Sequence, residues 1–283
     1  MEYLFLFICI LNFSYSYKPV VFIHGLMGHS SDGRLINETI QKLHPGTPYY
    51  AVNAFTRLDT ILPLWEEVEI VKPHLRQYMK AHPEGIHLIC YSQGGVVCRG
   101  LLSTLPDHNV DTFIALSSPL AGQFGDWKLF HKLFPNFVKD NVYKLLYTKF
   151  GQSVFLGNYW KDPHHLSLYR NFSNFLAPLN NDSISANITE YKQNFLRLKK
   201  MVLIGGPDDG VISPWQSSQF GFYDDKEVVQ GMAKQRFYRE DSFGLRTMHG
   251  QNRIRIYEIP DIRHSQWVQN LTVIQNVIVK ALS

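Results

Sequence analysis

The chain is poor in features that would assign it to several common classes. Only 3 of its 283 residues are cysteine, so it is not a disulfide-framed miniprotein. Its formal net charge is only +4, and Lys and Arg are scattered. No basic stripe with interleaved aromatics appears, which argues against nucleic-acid binding. Beyond the N-terminus no window reaches membrane-span length, so no stable membrane anchor is expected. There is no internal repeat, low-complexity run, or Pro- or Gly-rich linker. The apolar fraction, by contrast, is 45%, enough for a full hydrophobic core.

The N-terminus reads MEYLFLFICILNFSYSYKP. Leu4 to Leu11 matches the apolar centre of a signal peptide and is too short to cross a bilayer. Ser14 and Ser16 place small residues at the −3 and −1 positions of a cut before Tyr17. The first residues carry Glu2 and no Lys or Arg, and a buried N-terminal strand or helix is the competing reading. We expect a signal peptide over 1–16 and a single domain over 17–283. Five Asn-X-Ser/Thr sequons, at Asn37, Asn171, Asn181, Asn187 and Asn270, fit entry into the secretory pathway. Removing the signal removes Cys9. Cys90 and Cys98 remain, and an oxidising compartment allows them to pair, the alternative being two buried thiols. Two cysteines without histidine at ligand spacing cannot close a zinc shell. Neither can His164-His165, adjacent loop residues with no third ligand in view. No metal and no cofactor is expected.

Apolar β-branched runs alternate with helical spacing. Strands are expected at Pro19–Ile23, Ile86–Cys90, Thr112–Leu116, Met201–Ile204 and Ile254–Tyr257. Val97, Leu101, Leu102 and Leu105 share one helical face, and Leu271, Ile274, Val277, Ile278 and Leu282 share another. Such alternation implies a mostly parallel sheet covered by helices on both faces, with chemistry at the carboxyl ends of its strands. From about 120 to 198 no convincing buried strand appears, only aromatics and short amphipathic pieces. This segment reads as a helical cap inserted between two core strands, ordinary surface helices being the alternative.

Ser92 lies in His87-Leu-Ile-Cys-Tyr-Ser-Gln-Gly-Gly, directly after a strand and before a helix. That is the setting of a nucleophile elbow, a sharp turn that lifts the hydroxyl above the sheet. Gly94 and Gly95 supply the small residues on the helix side. On the strand side Cys90 stands where glycine is usual. Strand Pro19–Ile23 runs into His24-Gly25-Leu26, whose main chain, with that of Gln93, could hold an oxyanion. His24 is expected to order that loop. His264 follows the last strand and opens the last helix, and it alone among 12 histidines completes the chain order Ser, Asp, His in that position. The acid belongs after Met201–Ile204, in Gly-Gly-Pro-Asp208-Asp209-Gly. Asp209, followed by glycine and an apolar pair, is the better choice, and Asp208 could orient the loop. Asp224, Asp225 and Asp241 read as exposed turn residues.

These residues, with Leu62-Pro-Leu-Trp-Glu-Glu-Val, Leu116-Ser-Ser-Pro, Asn158-Tyr-Trp-Lys-Asp-Pro-His-His and Gly205-Gly-Pro-Asp-Asp-Gly-Val-Ile-Ser-Pro-Trp, resemble the palmitoyl-protein thioesterase family, in its type 2 lysosomal branch. The match runs from about Tyr17 to the C-terminus. The resemblance implies an α/β-hydrolase fold and a triad of Ser92, Asp209 and His264. It also implies an oxyanion hole from Leu26 and Gln93, and a cap that helps form an apolar groove. It implies hydrolysis of long-chain acyl thioesters in the lysosome, with acyl-CoA or S-acyl peptides as substrates and slimmer thioesters such as palmitoyl-CoA favoured. The residues alone stop at ester or thioester hydrolysis. An oxygen-ester lipase on the same machinery and a non-catalytic relative of the same fold are the rival readings. Oligomeric state is not legible.

Overall fold

The computed structural model describes residues 17–125, 138–183 and 187–283. The expected signal segment, and residues 126–137 and 184–186 of the expected cap, lie outside the described residues.

Six parallel strands form the central sheet: β1 (Val20–Ile23), β2 (Tyr49–Ala51), β3 (Ile86–Tyr91), β4 (Val110–Leu116), β5 (Lys200–Gly205) and, last in the chain, β8 (Ile254–Glu258). Their spatial order is β2-β1-β3-β4-β5-β8. A small antiparallel ribbon pairs β6 (Phe222–Tyr223) with β7 (Val229–Gln230). The chain leaves β1 toward one edge and returns at β3 on the other side of β1. Loops after those two strands therefore diverge around a crevice, where open α/β sheets place their ligands.

The strands alternate with period two, and each face buries its own set of side chains. Val21, Ile23, Leu88, Cys90, Phe113, Ala115, Met201 and Leu203 pack on one side, under α2 (Leu64–Ala81) and α3 (Gln93–Thr104). Val20, Phe22, Ile89, Ile114, Leu116, Val202 and Ile204 pack on the other, against α1 (Arg34–Leu43) and the C-terminal helix, which starts at Leu271–Val273 and widens into a π-helical stretch at Ile274–Val279. Both faces are covered, so the inner strands read as unbroken apolar runs.

The expected strands are all present, with β4 and β5 slightly longer than their apolar runs suggest. β2 and the ribbon were not foreseen. Gln93 through Ser103 are all buried, so α3 has no polar face and Val97, Leu101, Leu102 and Leu105 are only part of what it hides. Between β4 and β5 the described residues carry short helices, at Tyr143–Leu146, Phe155–Tyr159, Leu166–Phe172, Leu176–Asn180 and Ile188–Phe195, and one isolated bridge, Gln123 to Trp160. Arg99 of α3 anchors this segment. Fully buried, it donates to Leu120 O, Leu179 O and Asn180 Oδ1, and its guanidinium lies 4.2 Å from the Phe243 ring centre. Cys90 and Cys98 form a disulfide between β3 and α3. Asp241 departs from expectation. It is buried rather than exposed, because Thr247 N, Thr247 Oγ1 and Lys192 Nζ all converge on its carboxylate.

Candidate active site

Ser92 sits between β3 and α3 with φ 54° and ψ −128°, a conformation rare for a residue with a side chain. The turn is held by Ser92 N donating to Leu116 O (3.0 Å) and Gly95 N donating to Ser92 O (3.0 Å). It is also possible only because its neighbours lack side chains. A Cβ on Gly25 would stand 2.6 Å from Ser92 Cβ, and one on Gly94 would stand 2.3 Å from His24 O. Cys90 fits where glycine is usual by turning its sulfur into the disulfide.

His264 opens the turn after β8. Its Nε2 is 2.8 Å from Ser92 Oγ. Its Nδ1 is 3.0 and 2.9 Å from the two oxygens of Asp209. The main chain reinforces the pair, since His264 N donates to Asp209 O at 2.9 Å. Tyr91 OH donates to His264 O at 2.8 Å, and its ring packs against the imidazole. Ser92, His264 and Asp209, assigned from three distant parts of the sequence, therefore form one hydrogen-bonded line.

Asp209 is 3% exposed, yet its carboxylate is saturated. Val211 N (3.0 Å) and Ile212 N (2.8 Å) donate to Oδ1. Ser117 Oγ (2.5 Å) and Trp267 Nε1 (2.7 Å) donate to Oδ2. Burial alone would raise its pKa. The His264 bond and charge, with the Ser117 and Ile212 donors, outweigh burial and hold the carboxyl below its usual range. Ser117 and Trp267 escaped the sequence reading. Their only signals were a Ser-Ser-Pro at the end of β4 and a tryptophan three residues past His264. Asp208 is a loop holder, as expected: its Oδ2 accepts from Asp261 N at 2.8 Å.

Leu26 and Gln93 border the same cavity as Ser92. The main-chain bonds of their two turns are made by other groups, Gly28 N to Gly25 O and Gly95 N to Ser92 O. His24 is wholly buried and its ring nitrogens face Phe55 O (2.7 Å) and Gly25 O (3.0 Å), so it orders the loop. The cavity, about 120 Å³, is mostly apolar, walled by Pro119, Phe155, Tyr159, Val211 and Ile212. His164 and His165 diverge to separate carboxylates, Glu227 Oε1 (3.0 Å) and Asp162 Oδ2 (2.9 Å). Among the described residues no group of side chains could hold a metal ion, and no helix is long and apolar enough to cross a membrane.

The sheet order, the strained serine turn at its crevice and the serine–imidazole–carboxylate line define the chain as an α/β-hydrolase. The fold is shared with a lipase-esterase related protein from Clostridium acetobutylicum, at TM-score 0.53 and 13% identity over 94% of this chain and 95% of that one. Sequence comparison is more specific. The profile described as palmitoyl protein thioesterase matches residues 19–264. Lysosomal thioesterase PPT2-B of Xenopus laevis is 47% identical over 98% of this chain and 97% of its own length. Lysosomal thioesterase PPT2 of Homo sapiens is 47% identical over 95% and 89%. The chain belongs to the palmitoyl protein thioesterase family, in its type 2 branch.

Proposed function

We propose that the protein hydrolyses long-chain fatty-acyl thioesters, of the palmitoyl-CoA kind and including S-palmitoyl cysteine, through an acyl-enzyme on Ser92. Thioester hydrolysis as such follows from the family. The finer reading is carried by one observation: His264 bridges Ser92 Oγ on one nitrogen and Asp209 on the other, at 2.8 and 2.9 Å.

In that geometry His264 Nε2 takes the Ser92 proton as Oγ attacks the thioester carbonyl carbon. Asp209 holds the tautomer with Nδ1 protonated and stabilises the imidazolium. The carbonyl oxygen becomes an oxyanion, toward which Leu26 N–H and Gln93 N–H donate. The intermediate collapses, the C–S bond breaks and the thiol leaves. Water, activated by His264, then attacks the acyl-enzyme and releases the fatty acid. The apolar wall of Phe155, Tyr159, Val211 and Ile212 suits an alkyl chain, and the described short helices between β4 and β5 act as the part of a cap that supplies Phe155 and Tyr159. The depressed Asp209 carboxyl suits an acidic compartment, because the anion survives there.

The lysosome is the place of work, as the names of the relatives state for those proteins. The signal peptide over 1–16 opens the route to it. Asn171 and Asn187 are exposed, and Asn37, Asn181 and Asn270 half-buried, so all five sequons are offered as glycan sites.

The test is thiol release from palmitoyl-CoA beside hydrolysis of a matched oxygen ester, with Ser92→Ala as control. A thioester preference lost in the variant supports the reading. A faster oxygen-ester rate would overturn the substrate class, and an active Ser92→Ala would overturn the nucleophile.

A further inference from the structure

One buried residue bonds to the neighbour of Leu26 and to the Gln93 side chain, next to both proposed oxyanion donors. Thr60 lies in the loop between β2 and α2 and is wholly buried. Its hydroxyl accepts a hydrogen bond from Met27 N at 2.7 Å, one residue past Leu26, and passes its own proton to Arg57 O at 2.5 Å. Its carbonyl accepts from Gln93 Nε2 at 2.7 Å. Thr60 therefore ties the loop after β1 to the residue after Ser92, although these segments leave different strands.

Two observations bear on the tie. Met27 has φ 56°, the left-handed region that disfavours a side chain, and its own side chain is 48% exposed. The turn that holds it, closed by Gly28 N donating to Gly25 O, is tied to the neighbouring loop by the Met27 N bond to Thr60 and by Arg57 N donating to Gly28 O. The Gln93 amide is spoken for at every position. Besides Thr60 O it donates to Glu67 Oε1 at 2.7 Å, and its Oε1 accepts from Tyr159 OH at 3.3 Å. Glu67 is itself fully buried. Burial, only partly opposed by the Gln93 bond, pushes its carboxyl well above the ordinary range.

We propose that Thr60 is a positioning residue for thioester hydrolysis, a clamp that fixes the spacing of the Leu26 and Gln93 N–H groups through its hydroxyl and its carbonyl respectively. The proposal rests on the reading of Ser92 as nucleophile with those two donors. Oxyanion donors must stand about 2.7–3.1 Å from the developing oxyanion, and they act in the transition state rather than on the bound acyl chain. The clamp therefore governs kcat and leaves KM nearly alone.

The experiment compares Thr60→Val and Thr60→Ser in the full-length secreted enzyme. It measures kcat and KM on palmitoyl-CoA, the rate of fluorophosphonate labelling at Ser92, and Tm. Thr60→Val is expected to lower kcat by roughly 10- to 100-fold, below the loss from deleting a whole donor, with KM within about twofold. Labelling should slow in parallel, and Thr60→Ser should recover most of the rate. A Thr60→Val enzyme with wild-type kcat overturns the clamp, as does a Thr60→Ser that loses as much as Thr60→Val. If Thr60→Val does not fold, Gln93→Met decides. It keeps the main-chain N–H and removes the amide, so the same kcat-only loss is expected and an unchanged kcat overturns the proposal. An active Ser92→Ala would instead mean that the underlying reading has failed. An inactive Ser92→Ala beside a normal Thr60→Val removes the clamp alone.

Discussion

Ser117→Ala tests whether the buried Asp209 is held ionised by its donors. Ser117 is wholly buried with φ 46°, and alanine meets the same backbone strain there, so the change removes little beyond the hydroxyl. That hydroxyl donates to Asp209 Oδ2 at 2.5 Å. A hydrogen bond to a charged group contributes about 1.5–3 kcal/mol. Four other donors remain on the carboxylate, so the lower half of that range is the expectation, roughly 10- to 40-fold in kcat/KM at about 1.4 kcal/mol per factor of ten. The loss should also depend on pH. Asp209 is depressed below its reference value of 3.8, so its stabilisation is full above that value and fades as pH falls through the lower native pKa. Ser117→Ala moves the native pKa back toward the reference. The stability gap between variant and wild type should therefore be widest near neutrality and narrow below about pH 4. Urea unfolding across a pH series, beside kcat/KM on palmitoyl-CoA, measures both. A gap that is constant with pH, or absent with unchanged kcat/KM, would refute the reasoning.

Three further outcomes follow from the geometry. Asp209→Asn should cost about 10⁴ in kcat by disturbing the imidazole tautomer, whereas Asp208→Asn, which touches only the Asp261 loop, should cost less than about tenfold; steady-state kinetics separates the two. Gly25→Ala places a methyl 2.6 Å from Ser92 Cβ and should lower kcat on the order of 100-fold while circular dichroism stays native. Replacing Cys90 and Cys98 together by alanine opens a loop with a sequence separation of 8, which loop-closure entropy values at about 2.5 kcal/mol. A denaturant midpoint unchanged in that double variant would show that the bridge adds nothing.

The sequence revealed what periodicity and order encode. β1, β3, β4 and β5 are buried along nearly their whole length and show as largely apolar runs, β8 at the sheet edge shows only as the alternating Ile254-Arg-Ile-Tyr, and the turn that follows β3 marks Ser92. His264 and Asp209 could be placed because each follows a strand. β2 stayed hidden because Tyr-Tyr-Ala is three half-buried residues at a sheet edge, with no alternation to reveal it. Ser117, Trp267, Thr60 and Glu67 stayed hidden for another reason. Each serves the site through a hydrogen bond to a residue distant in sequence, and a serine, tryptophan, threonine or glutamate carries no local mark of its partner. Asp241 was misread because its neighbours resemble a surface turn, whereas its ligands Lys192 and Thr247 come from two separate helices.

The central claim is an acyl-enzyme on Ser92, and rapid quenching tests it most directly. Enzyme mixed with palmitoyl-CoA is stopped in acid within the first turnover and digested, and the peptide carrying Ser92 is weighed. The account predicts a palmitoyl adduct on that serine, and no adduct in Ser92→Ala, whose thiol release should fall by roughly 10⁶. An adduct on another residue, or a Ser92→Ala enzyme that still turns over at a measurable fraction of the wild-type rate, would contradict it.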